Sequence, residues 1–307
     1  MSAKALLLGL LPWAAILAGC GLGAGPAPTA VQLTVTRDFG ATIINRSGAL
    51  KVKGQETVMS LLMRNYTVAT RYGGGFVQSI DGLSGREGAQ PLDWFYYVNG
   101  LQATIGAAAS DVHPGDHIWW DRHDWSQTED VPAVVGSFPE PFLNGIGGKR
   151  YPVRVECSKV GAYACDTVSA RLSAAGVPAA IAALGSGAAP LTLRVLVGPW
   201  SQIGGGLGAQ SIQRGPRASG VYALFSPDGS TLTPLDERGR RLAALRGGTG
   251  LIAATRNGED APVWVVTGTD AHGVELAASD FDQPTLQDRF AVALVPGRVL
   301  ALPEAQG

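Results

Sequence analysis

The stretch DVHPGDHIWWDRHDW, residues 111–125, holds three of the four histidines in a chain of 307 residues, together with four aspartates and three tryptophans. Crowded histidine and aspartate are the raw material of a zinc site or an acid–base pair. Strand spacing argues against both. An extended chain rises about 3.3 Å per residue with alternate side chains on opposite faces, so His117 and His123 stand about 20 Å apart and cannot share an ion. Asp121 and His123, about 7 Å apart on one face, would need further ligands from another strand, which the sequence does not obviously supply. HPGD reads as a turn fixed by Pro114 and Gly115 and capped by Asp116. No metal site is expected.

The aromatic residues carry more information. Trp94, Tyr96, Trp119, Trp120 and Trp125 fall on segments that read as neighbouring strands, and aromatics exposed on a sheet suit flat, partly apolar ligands or sugars. A small domain also needs large side chains for its core. Alternation puts Trp94, Tyr96 and Val98 on one face and Phe95 and Tyr97 on the other, so at most one set can pack against a helix.

Other chemistry finds no foothold. Gly73, Gly74 and Gly75 precede a strand, and IGGGLG (203–208) lacks the G-K-[ST] ending of a phosphate loop; both read as turns. There is no H-E-x-x-H, G-x-S-x-G or S-x-x-K. His272 has no acid or nucleophile near it in sequence, and Asp280, Asp282 and Asp288 with Glu275 read as a solvated helix face. Neither catalysis nor a resident cofactor is expected.

The chain opens with Lys4 and the apolar run ALLLGLLPWAAILAG, too short for a stable membrane span and rich in small residues at its end, the form of a signal peptide (1–19). It closes on LAGC, which resembles the lipobox of bacterial lipoproteins and makes Cys20 the lipidated residue, anchored in a cell membrane on the extracytoplasmic side. Residues 20–30 read as an extended tether. With 24 basic and 25 acidic side chains, 16% charged residues and no basic stripe, no nucleic-acid partner is expected. In an oxidising compartment Cys157 and Cys165 suit a local disulfide; a metal pair would want C-x-x-C spacing and a nearby histidine.

The elements that must hold the aromatics read as an α+β domain over 31–130. Val31, Leu33 and Val35 alternate in a strand, with ATIINR as its hairpin partner. ETVMSLLMRN follows as a short helix, then strands at 75–80, 93–98 and 116–123, with Asn99-Gly100 as a two-residue hairpin turn. Two strands, a helix and further strands make a β-grasp-like unit. Residues 131–149, with Pro132, Pro139 and Pro141 among glycines, read as a linker whose Val134, Val135, Phe138, Phe142 and Leu143 can pack between domains. Residues 150–307 alternate strand and helix as a second, α/β sandwich-type domain, and its opening and closing strand-helix-strand runs are alike enough for an internal duplication.

In the first domain GQETVMSLL, YGGGFVQSIDG, WFYYVNG and VHPGDHIWW stand in an order that resembles a bacterial extracellular domain family sharing the fold of the transcobalamin C-terminal β-domain. The resemblance covers residues 31–125. It implies a small-ligand role, since that domain closes over one face of cobalamin against a helical barrel, and no such barrel can be read in 150–307. Trp94, Tyr96, Trp119 and Trp120, with Tyr72 and Phe76 flanking the glycines, are the expected ligand contacts, and the interdomain cleft beside the proline-rich linker is the expected site. The sequence thus points to a lipid-anchored binding protein for a small molecule, cobalamin or a related corrinoid being one such ligand, passed to a transporter. The alternative is a structural or adhesive envelope protein with a protein or glycan partner.

Overall fold

The structure, a computed structural model, describes residues 28–304 except 86, 87, 207 and 259. The signal peptide, Cys20 and most of the tether lie outside the described residues.

The first unit opens with the hairpin β1 (Ala30–Arg37) and β2 (Thr42–Lys51). Helix α1 (Val58–Asn65) follows, started by a capping box in which Thr57 and Ser60 each bond the other's backbone N–H, and it buries Val58, Met59, Leu61 and Leu62. Strands β3 (Val68–Arg71), β4 (Phe76–Ile80) and β5 (Leu83–Ser84) form a small antiparallel sheet. Next come β6 (Leu92–Val98), β7 (Leu101–Gln102) and β8 (His117–Asp124). The main sheet has the order β2-β1-β8-β6-β7, and its first and last strands in sequence, β1 and β8, pair in parallel at its centre. The β6–β7 turn uses Asn99 and Gly100 at φ 53° and 77°, the positive angles that a two-residue hairpin demands. Leu33, Val35, Ile118 and Trp120 pack against α1 in one core.

The second unit begins with β9 (Val153–Cys157), α2 (Tyr163–Ala174), β10 (Ala179–Ala183) and β11 (Leu193–Pro199). Three single-turn helices, α3 (Trp200–Ile203), α4 (Gln210–Gln213) and α5 (Pro216–Ser219), lead to the hairpin strands β12 (Ala223–Phe225), β13 (Thr231–Pro234) and β14 (Leu245–Arg246). The chain then forms β15 (Gly250–Thr255), β16 (Val263–Gly268), α6 (Ala271–Ser279), α7 (Gln283–Leu286), β17 (Ala291–Val295) and β18 (Arg298–Leu302). Its seven-stranded sheet runs β10-β9-β11-β16-β15-β17-β18, parallel from β10 to β16 and antiparallel beyond. The whole is a mixed α+β fold. The two strand-helix-strand runs differ in topology: β9 and β11 are neighbours, with an extra strand β10 between them in sequence, whereas β15 separates β16 from β17.

Residues 131–149 form turns that pack firmly. Val131 and Val134 enter one core, while Val135, Phe138 and Phe142 enter another around Trp264 and Phe281. The outer face of the first sheet is also covered. Phe39, Tyr97 and Trp119 join Tyr222 and Phe290 of the second unit in a continuous aromatic core. One face of β6 thus joins the core shared with the second unit and the other the core that holds α1. Asp288, expected on a solvated helix face, is instead buried outside any helix and paired with Arg46 of β2.

Cys157 at the end of β9 and Cys165 in the first turn of α2 form a disulfide, with Cα atoms 5.9 Å apart. Closing so short a loop is worth about 2–3 kcal/mol by chain entropy. A Cys157→Ser/Cys165→Ser variant should lose that amount in urea unfolding, and reductant should cost the native chain the same; a loss below about 0.5 kcal/mol would count against the estimate.

Candidate ligand-binding site

Strands β6 and β8 pair in a register that sets Tyr96 opposite Trp120 and Trp94 opposite Arg122. Tyr96 and Trp120 stack at 4.9 Å and 28°. This face belongs to the core that also holds α1, and β4 packs against β6 beside it. A cavity of about 350 Å³ lies there, walled by Phe76, Trp94, Tyr96, Trp120 and Trp125, closed by the 102–107 loop including Ile105, and bordered by Asp93 and Glu129. Gly85 keeps the wall close: a Cβ there would lie 2.9 Å from the Trp94 ring and 2.8 Å from Asp93 Oδ1.

The polar atoms of the walls are unequally satisfied. The Tyr96 hydroxyl donates to Ile105 O at 2.6 Å, tying the loop to the sheet, and Trp94 Nε1–H donates to Leu83 O at 3.3 Å. Burial raises the Tyr96 phenol above its ordinary value, so it stays protonated as a donor. The Trp120 indole N–H is buried in a residue only 2% exposed and has no partner among the described residues. Leaving such a donor unpaired costs about 1–3 kcal/mol.

Four of the six expected contacts, Phe76, Trp94, Tyr96 and Trp120, thus converge on one cavity. Tyr72 sits outside it on the preceding turn, 86% exposed and edge-on to Phe76 at 6.3 Å. Trp119 is no ligand contact. It points to the opposite face of β8, is 0% exposed, donates from Nε1 to Thr36 Oγ1 at 2.7 Å and packs edge-on to Phe290. Glu129 and Ile105 were not legible as contacts, because loops 102–107 and 125–130 carry no periodic signal; Asp93 lies in β6, where alternation marks faces but not a cavity. Trp125, just past the end of β8, stood among the aromatics but not among the expected contacts.

The three histidines of 111–125 sit in separate surroundings. His117 shares a hydrogen bond with Thr34 (2.9 Å) across the central parallel pair, and burial, with Arg46 nearby, lowers it to about 4. His123 donates from Nδ1 to Asp121 Oδ2 at 2.8 Å, its ring between Phe39 and Phe95. His113 N–H donates to Asp116 Oδ2 in the HPGD turn. Among the described residues no three His, Cys, Asp or Glu side chains converge on a metal position.

The expected interdomain cleft also exists. About 520 Å³ lies between Gln102–Thr104, Asp130 and Pro132 on one side and Arg217, Ala218 and Arg256–Gly258 on the other. It is more polar than the aromatic cavity and shares Gln102 and Ala103 with it.

Residues 55–124 match DUF4430, a domain of unknown function. The DUF4430 match thus runs from α1 to the end of β8 and takes in Phe76, Trp94, Tyr96 and Trp120, while Glu129 and the whole second unit fall beyond it. A solved structure of a proposed metal binding protein from Ruminococcus gnavus is similar at 15% identity, covering 31% of this chain and 97% of that one with a TM-score of 0.27. None of the curated proteins matches.

Proposed function

We propose that this chain is an extracytoplasmic lipoprotein, anchored through Cys20, that holds a small ligand in the aromatic cavity of its first unit without transforming it. The cavity carries the reading. It is concave, aromatic side chains line it, and it lies within the usual lower range for ligand sites of about 300 Å³ and above. The anchor reading is supported by LAGC at the end of the apolar leader; among the described residues no helix is long and apolar enough to cross a membrane.

The finer version, a corrinoid handed to a transporter, draws its support from the transcobalamin-like motifs of 31–125. A cavity of about 350 Å³ admits a ring-sized group. A corrinoid, much larger than this, would enter it by one edge alone. A second reading, a docking surface for a macromolecular partner, is favoured by Tyr72, which stands almost fully exposed beside Phe76 at the rim.

Titration of the full chain with N-phenyl-1-naphthylamine, a neutral planar probe that brightens in apolar surroundings, tests the small-ligand reading. Saturable enhancement is expected, with Phe76→Ala weakening it about tenfold, or about 1.4 kcal/mol. No saturable signal by about 50 µM would overturn the reading, since even that affinity needs only about 6 kcal/mol. Equilibrium dialysis with cobalamin tests the corrinoid version separately.

A further inference from the structure

The charges bordering the aromatic cavity are of one sign. Among the described residues that line it, the ionisable side chains near the mouth are Asp93 and Glu129, and none is Lys, Arg or His. Asp93 is already engaged, accepting Trp94 N–H at 2.9 Å and making a further contact. Glu129 is exposed and makes no ion pair among the described residues. Its place is nevertheless fixed. Gln102 Nε2 donates to Glu129 O at 2.7 Å and Gln102 Oε1 accepts from Val131 N–H at 2.6 Å, so one side chain clamps the 129–131 backbone beside the cavity.

Electron-rich ring faces with a carboxylate at the rim suit a cation, and the type of cation follows from hydration. A bare ammonium or metal ion must surrender strongly held water to enter an aromatic cavity. An alkylated ammonium spreads its charge over methyl groups, sheds water cheaply and is attracted by the ring quadrupoles. We propose that the aromatic cavity takes an organic cation of the alkylated ammonium class, with Glu129 setting the preference for charge. This deepens the small-ligand reading above and rests on it.

Choline and its neutral isostere 3,3-dimethylbutan-1-ol differ in charge alone. Both are optically silent, so the tryptophan fluorescence of the full chain reports binding. Choline is expected to bind about tenfold more tightly than the isostere, and Glu129→Gln should bring choline down to the isostere's affinity. Glu129 is exposed on a loop, so the substitution leaves the fold intact. Equal affinity for choline and the isostere would overturn the inference. So would a preference that survives Glu129→Gln, or an absence of choline binding in a chain that still binds N-phenyl-1-naphthylamine; in each case the small-ligand reading stands. Failure of the naphthylamine probe together with choline overturns both readings.

Discussion

Replacing Asp121 with alanine is expected to destabilise the chain by about 4 kcal/mol, the range found when one partner of a buried charged network is removed. Asp121 is 0% exposed, on the face of β8 turned toward the second unit. Its carboxylate accepts four hydrogen bonds: Thr36 Oγ1–H and Gly40 N–H on Oδ1, Phe39 N–H and His123 Nδ1–H on Oδ2. Trp119 Nε1–H donates in turn to Thr36 Oγ1, so the seam tryptophan hangs on the same network. Alanine would leave four donors without an acceptor where water does not reach, at about 1–3 kcal/mol for each that finds no substitute. The bonds to Phe39 and Gly40 also fix the turn after β1, which inserts Phe39 among Tyr222 and Phe290. Position 40 leaves no slack, for its φ is +82° and a Cβ there would fall 1.9 Å from Asp288 O. Urea unfolding of Asp121→Ala should show a lowered midpoint with an unchanged slope, and Asp121→Asn, which keeps one acceptor oxygen, about half the loss. A loss under about 1 kcal/mol would mean that the network is replaceable.

Asp121 also shows where sequence reasoning reaches and where it stops. Alternation along HIWWDRHD correctly separates the faces of β8, placing Trp119, Asp121 and His123 on one side and Trp120 on the other. It cannot say what covers each face. Trp119 and Trp120 are the same residue type at adjacent positions. One is walled in because the second unit packs on its side, and the other borders a cavity shared with β4 and the 102–107 loop. The turn chemistry was legible, since Asn99-Gly100 and HPGD state their backbone needs in residue types. Strand β10 was not, because AAIAA is an edge strand of small side chains with neither alternation nor bulk to signal it. The Asp288–Arg46 pair joins residues 242 positions apart, and no local pattern carries such a contact.

Two buried groups should give the chain opposing pH dependences that only substitution reveals. Burial raises Glu140 from 4.5 to about 7; two bonds from Asn144 and the charge of Arg150 work against the rise, and neighbouring Asp116 adds to it. Between those values the folded chain holds a proton that the unfolded chain has lost. Stability from this carboxyl is therefore full below 4.5 and lost as the pH rises through about 7, a change of about 3 kcal/mol. For His117 the sign reverses. Burial lowers it from 6.5 to about 4, so between those values the unfolded chain binds a proton that the folded chain excludes. Stability then falls by about 3 kcal/mol as the pH drops through that window. The two slopes overlap from 4.5 to 6.5 and largely cancel. Asp116 and Asp288, also raised by burial, tilt the native curve gently downward with pH. Asp270, held low by Gly273 N–H, matters only in more acidic solution. Glu140→Gln should accordingly expose the histidine limb, with stability rising by about 3 kcal/mol from pH 4 to 6.5. His117→Gln, which can keep the bond to Thr34, should expose the carboxyl limb, falling by about as much from pH 4.5 to 7. Urea midpoints across that range decide the matter, and parallel curves for the two variants would show that neither group titrates as its burial demands.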